Sequence, residues 1–194
     1  MRVSSAFLCF VIAVSALSVR AGIVETMIAK LKKTGSFSAD QIANAQAIIQ
    51  GCSAYTTSVN QLAYVLSTAI GECNLRPIKE YRAKAGTNHY DIQNKYWGTG
   101  FYGRGYVQLT WKDNYSKFSK LLGIDLVGNP DLALKPDVAG KIICIGMTKG
   151  LFTGRSLNTY FSGSNADWTN ARRIINGVDK AAQFGERARK IATA

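Results

Sequence analysis

The chain has 194 residues and carries 24 lysines and arginines against 12 aspartates and glutamates, a formal charge of +12 at pH 7. That length holds one domain with a real core and is short for two. A single histidine, His89, and the lack of a phosphate-loop motif leave metal, hydride and phosphoryl chemistry without their usual parts, so no cofactor and no metal are expected.

The N-terminus reads as a targeting segment. Arg2 precedes an apolar run from Ala6 to Leu17, too short to span a bilayer as a helix. Val19-Arg20-Ala21 has the form of a cleavage site, with Val14-Ser15-Ala16 as the second choice, so residues 1–21 are expected to be a secretory signal. A membrane anchor is the alternative, but no stop-transfer run follows. Loss of Arg2 and Arg20, with no acid, takes the charge from +12 to +10 and leaves a domain over residues 22–194. The remaining cations are scattered from Lys30 to Lys190, a diffuse field that attracts polyanions. No helix-turn-helix, finger or RNA-binding signature is present and secretion argues against nucleic acid, which leaves bacterial wall polymers and anionic membranes as the polyanions available outside a cell; on charge alone a solubilising surface is the favoured reading. Of the four cysteines, Cys9 leaves with the signal. A Cys52–Cys73 bridge is expected, and Cys144, inside Ile142-Ile-Cys-Ile145, is read as a buried free thiol.

Ile23, Met27, Ile28 and Leu31 form a helical stripe that ends before Gly35. Asp40 is the expected N-cap of a second helix through Ile42, Ala45, Ile48 and Ile49. Ser58 caps a third, in which Leu62, Val65, Leu66, Ala69 and Ile70 fall on a wide apolar face running up to Gly71-Glu72-Cys73. Periodicity then fails from Asn74 to Gly100, a long loop rich in aromatics and read as functional rather than disordered. Phe101 to Trp111 follows, with Gly98, Gly100, Gly103 and Gly105 crowded before and into it. The alternation of Tyr106, Gln108 and Thr110 with Val107, Leu109 and Trp111 predicts a tight turn feeding a short strand with one apolar and one uncharged polar face. That polar face suits a sugar; an ordinary solvated hairpin is the plain alternative. Phe118, Leu121 and Leu122 mark a short helix closed by Gly123. Pro136 opens a helix through Val138, Ile142, Ile145 and Met147. Short helical pieces are expected over 156–161 and 166–175, and Asp179 is the expected cap of a last basic helix.

Carboxylate chemistry remains. Glu72, at the end of a buried helix, is expected to be partly desolvated, which favours its proton-donating form. Glu80, between Lys79 and Arg82, is expected to be held ionised by those cations. One such pair serves as acid and base in glycoside hydrolysis. A helix-end surface charge for Glu72 and a simple Glu80–Arg82 ion pair are the competing readings.

Phe101–Trp111 with Asn114-Tyr115 resembles the signature of family 19 glycoside hydrolases, the chitinase group, with the closer likeness to small phage and bacterial endolysin-type members. Ala63–Glu72, Leu121–Leu132 and Ala171–Gly177 fit the same family. The resemblance implies a mainly α, lysozyme-like α+β fold, with two helical lobes around a cleft and a small β-hairpin. It implies inverting cleavage of β-1,4 links in N-acetylated amino-sugar polymers, peptidoglycan or chitin. It casts Glu72 as general acid and Glu80 as general base. Gln108 and Thr110 would hold sugar and attacking water, Tyr106 and Asn114 would line the cleft, Asn176 would contact sugar, and Arg104 would be a structural arginine of the cleft. Two departures are visible: Gly71 and Cys73 stand where the family usually has histidine and threonine, and the Glu72–Glu80 segment is short. The expected protein is therefore a secreted, monomeric hydrolase without stable membrane insertion, with peptidoglycan the preferred substrate. The rivals are a catalytically impaired sugar-binding protein and a cationic antimicrobial protein acting on membranes.

Overall fold

The computed structural model describes residues 5–194, with side chains from Ser18 onward. Arg2 of the expected signal, and the side chains of its apolar run from Ala6 to Leu17, lie outside the described residues. The order is α1 (Ser5–Lys33), α2 (Ala39–Cys52), α3 (Val59–Cys73), β1 (Ile78–Lys79), α4 (Asn88–Asn94), β2 (Arg104–Gly105), α5 (Lys112–Leu122), α6 (Pro136–Lys149), α7 (Leu157–Tyr160) and α8 (Ala181–Thr193). Short 3₁₀ turns at Trp97–Thr99, Pro130–Leu134 and Asn170–Ile174 complete the chain. The fold is mainly α with one small sheet, as the residue patterns imply. Helix α1 begins well before the stripe at Ile23, because the preceding apolar segment is also helical in form. No helix of the described residues is long and apolar enough to cross a membrane.

Two cores share one helix. The larger packs α1, α2, α3, α7 and α8 around Met27, Ile48, Leu62, Leu66, Ile174 and Ile191. The smaller gathers Leu109, Tyr115, Phe118, Leu126 and Ala133. Helix α6 serves both: Ala139, Ile143, Cys144 and Met147 face the large core, and Val138, Ile142 and Ile145 the small one. Spacings of three and four residues put each set on its own side of the helix. Helix α3 is buried nearly all round, from Gln61 to Ala69, and so is an interior element rather than a surface one.

Local caps follow elementary rules, with corrections. Ser38, not Asp40, caps α2, because a capping box with Gln41 satisfies donors in both directions. Ser58 caps α3 and Pro136 opens α6, as expected. Lys180, rather than Asp179, is the N-cap of α8, in a left-handed conformation.

The cysteines pair otherwise than expected. Cys52 bonds Cys144, with Cα atoms 5.1 Å apart and a sequence separation of 92. The reason is the crossing of α2 and α6. A Cβ on Gly51 would come within 2.7 Å of the Gly140 backbone, so the two helices meet at nearly bare main chain. Cys144 lies one turn beyond Gly140 on the same face, directly against Cys52. Among the described residues Cys73 is the free, buried thiol, donating to the carbonyls of Ala69 and Tyr106, and burial pushes it up to about 12.

The central glycine-rich stretch is a turn, not a strand. Arg104 and Leu109 exchange backbone hydrogen bonds, closing a tight loop over 105–108, and β2 pairs antiparallel with β1 across a long connection rather than a hairpin. Gln108 (φ 52°) and Trp111 (φ 75°) break the extended backbone. The faces change accordingly: Tyr106 is fully buried, whereas Trp111, expected on the apolar face, is exposed.

Candidate functional site

Glu80 follows β1 directly, and β1 is fixed by its neighbours. Asp131 accepts from Lys79 Nζ at 2.7 Å and from Arg104 Nε at 2.8 Å, so one carboxylate clamps both strands. Arg104 is itself buried, and its Nη1 donates to the carbonyls of Gly100 and Tyr102 and to the hydroxyl of Tyr115. That makes it a framework residue.

The Glu80 carboxylate is met by a set of donors. Gln93 Nε2 donates to Oε1 at 2.8 Å, the Tyr96 hydroxyl donates to the same oxygen at 2.7 Å, and the Gly103 amide donates to Oε2 at 2.9 Å. His89 Nε2 lies 3.6 Å from Oε1. The side chain is only 14% exposed. Burial pushes the carboxyl up, but the bonds from Gln93, Tyr96 and Gly103, with His89 beside them, outweigh it and hold Glu80 below the usual carboxylate range. The direction matches the expectation from sequence; the cause does not. Lys79 is spent on Asp131, and Arg82 turns to Gln93, Asn94 and the ring of Tyr90, 4.2 Å away. The simple Glu80–Arg82 pair is absent.

Gln93 organises the aromatic loop. It is wholly buried, donates also to the Tyr81 carbonyl, and accepts from the Ala83 amide at 2.7 Å. Trp97 stacks on Tyr102 at 4.5 Å, and Trp111 meets the edge of Tyr96 at 5.0 Å. The loop expected to be ordered by its aromatics is ordered by them and by this amide.

The turn runs beside Glu80. A Cβ on Gly103 would sit 3.2 Å from Glu80 Cβ and 2.8 Å from Gln108 Oε1, so glycine lets the turn approach the carboxylate. Gln108 Nε2 donates to the Ile78 and Gly105 carbonyls, so its donors hold the turn and its oxygen is left over. The Thr110 hydroxyl donates to the Gln108 carbonyl, keeping lone pairs able to accept, and Asn114 Nδ2 donates to the Thr110 carbonyl. Glu80, Gln108, Thr110 and Asn114 are thus brought into one string. Tyr106 is not: its side chain enters the large core, and its hydroxyl has no partner there.

Glu72 is held from elsewhere. Its side chain, 25% exposed, accepts from Arg172 Nη1 at 2.5 Å. Arg172 is 4% exposed, and its Nε donates to the Asp179 carbonyl. The carboxylate is partly buried, as its place at the end of a buried helix implies, and it meets a guanidinium that the sequence does not pair with it. Asn176 lies on the same segment, its amide donating to the Arg172 carbonyl, while its side chain caps the Gly177 amide. Sequence reasoning missed Arg172, Gln93 and Tyr96. The signal for Arg172 was faint, a doublet inside Ala171–Gly177. Among the described residues no cluster of three or more His, Cys, Asp or Glu could hold a metal.

Comparison with known proteins sharpens this picture. Short stretches match plant proteins: 57% identity over 35 residues with the acidic 27 kDa endochitinase of Solanum lycopersicum, covering 18% of this chain and 14% of that protein. A second match, at 51% over 35 residues, is to inactive chitinase-like protein 1 of Hevea brasiliensis, covering 18% and 11%. The aligned stretches thus span well under a fifth of either relative. The fold is similar to that of chitinase C from Streptomyces griseus HUT6037, with a TM-score of 0.58, 22% identity, and coverage of 86% of this chain and 76% of that one. The family sequence model of glycoside hydrolase family 19, chitinase class I, matches residues 26–148, more than half of the chain and both carboxylates. The chain belongs to glycoside hydrolase family 19.

Proposed function

We propose that the protein is an inverting glycoside hydrolase that cleaves β-1,4 links in polymers of N-acetylated amino sugars. Glu72 is the general acid, giving its proton to the leaving oxygen. Glu80 is the general base, taking a proton from a water that Thr110 and Gln108 help to place. The observation that carries this reading is the environment of Glu80. Three donors converge on a carboxylate of low exposure and favour its ionised form, the state a base requires at neutral pH. Water attack opposite the leaving group inverts the anomeric centre, and inverting enzymes separate their carboxyls by roughly 6.5–9.5 Å to admit that water.

Chitin is the substrate favoured by the names of the relatives, and the charge of +10 left after loss of residues 1–21 favours anionic bacterial wall in addition. We further infer that residues 1–21 are a secretory signal and that the enzyme works outside the cell. Among the described residues Val19, Arg20, Ala21 and Gly22 are exposed, and Ile23 and Val24 pack against the core. A sugar-binding protein without turnover is the second reading. It is favoured by Gly71 and Cys73 beside the acid and by the likeness to a protein named inactive.

The test compares wild type and Glu72→Gln on chitin oligomers and on bacterial walls, with NMR of the first-formed anomer. Hydrolysis with inverted product, abolished by Glu72→Gln, is expected. Activity retained in that variant removes the mechanism, and oligomer binding without product favours the second reading.

A further inference from the structure

We propose that Phe184 is a positioning residue for Glu72, acting through Arg172 and made possible by Gly71. The proposal rests on the reading of Glu72 as the acid.

The observations form a chain of contacts. The Arg172 guanidinium carbon lies 4.0 Å from the centre of the Phe184 ring, and Arg172 Nη1 reaches Glu72. A planar cation seated on an aromatic face is restrained in tilt, and its outward N–H bonds are aimed. The ring has no freedom of its own. Phe184 is 3% exposed, its carbonyl accepts from Ser67 Oγ at 2.7 Å, and the Arg187 guanidinium carbon lies 5.5 Å from the centre of its ring. Its far edge occupies the space in which a side chain at position 71 would begin. A Cβ built on Gly71 falls 2.3 Å from Phe184 Cζ and 2.4 Å from Cε1. No such contact is tolerated, so ring and side chain exclude one another. Ser67 and Gly71 are one turn apart on α3, so a single helix face anchors Phe184 and gives it room.

The departure at position 71 therefore has a structural counterpart. The residue before the acid is glycine because α8 delivers a ring to that place, and the ring in turn carries the arginine that holds the acid. Phe184, almost wholly buried, reaches Glu72 through Arg172 and acts by setting the geometry of the Arg172–Glu72 contact.

A double-mutant cycle tests this, with kcat and KM on chitin oligomers measured per folded molecule. Phe184→Leu removes the ring face and is expected to lower kcat by about tenfold or more with KM nearly unchanged. Gly71→Ala is expected to lower kcat by displacing the ring. In the double variant Gly71→Ala is expected to have little further effect, because the ring it displaces is gone. If the two losses multiply, or if Phe184→Leu leaves kcat at the wild-type value, the proposal is overturned. Should Gly71→Ala not fold, the split between kcat and KM in Phe184→Leu decides alone. Activity that persists in Glu72→Gln would instead sink the assignment of the acid, so the two failures are distinguishable.

Discussion

The two carboxylates are held in opposite ways. Every group on Glu80 comes from nearby in the chain: Gln93, Tyr96 and Gly103 lie within 23 residues of it. The partner of Glu72 comes from Arg172, 100 residues away. Arg172 and Phe184 also lie beyond the stretch matched by the family sequence model. One environment is wired within a single loop; the other is assembled only when the C-terminal part docks on α3. A local site forms with its loop, whereas a distant one depends on the whole tertiary fold.

Variants can break this contrast, and the acid should give the largest effect. Glu72→Gln is expected to lower kcat by about 10²–10⁴-fold, the usual contribution of proton transfer, with the fold retained but some stability lost because the buried Arg172 keeps only a neutral acceptor. Next comes the local side. Gln93→Leu strips a donor from Glu80 and leaves the Tyr81 carbonyl and Ala83 amide without partners, at a cost of about 1–3 kcal/mol per unsatisfied group in denaturant unfolding. Tyr96→Phe is gentler, about 1 kcal/mol, and its signature is in pH. Losing a donor to the ionised form raises Glu80, so the acidic limb of kcat/KM should move to higher pH while the alkaline limb stays. The sign for stability follows from the same shift. Glu80 is depressed in the folded state, so its contribution is present above the ordinary carboxylate value, about 4.3, and is lost as pH falls through the folded value. Tyr96→Phe should show a weaker loss of stability over that acid range. The smallest effect is expected for Thr110→Val, which removes one hydroxyl beside the turn and should lower kcat by no more than about tenfold. A Tyr96→Phe profile identical to wild type would sink the locally wired account of Glu80.

The same contrast explains what the sequence makes legible. Helical periodicity identifies α3 and α6, and their boundaries follow from Ser58 and Pro136, because caps and apolar spacing are local properties. The glycine cluster is legible as a place of close backbone approach, although which atoms approach is not. The alternation from Tyr106 to Trp111 misleads, because period two is shared by a strand and by this turn. What decides is the Arg104–Leu109 pairing and the left-handed backbone of Gln108, neither of which spacing encodes. The disulfide misleads for a related reason. The apolar run around Cys144 reads as the setting of a buried free thiol, but the α2–α6 crossing at Gly51 and Gly140 brings Cys144 to Cys52. Arg172 is invisible for the same reason that it is informative: a pair made over 100 residues leaves no spacing to read.

The Cys52–Cys144 link makes the molecule's durability depend on where it matures. Closing a loop of this length stabilises a fold by up to about 4–5 kcal/mol through restriction of the unfolded chain. Thiols kept reduced by glutathione would leave that staple open, and two small cysteines would remain as ordinary filling between α2 and α6. Recombinant material from a reducing host should therefore melt earlier than material folded under oxidising conditions, and treatment with a thiol reductant should erase the gap between them.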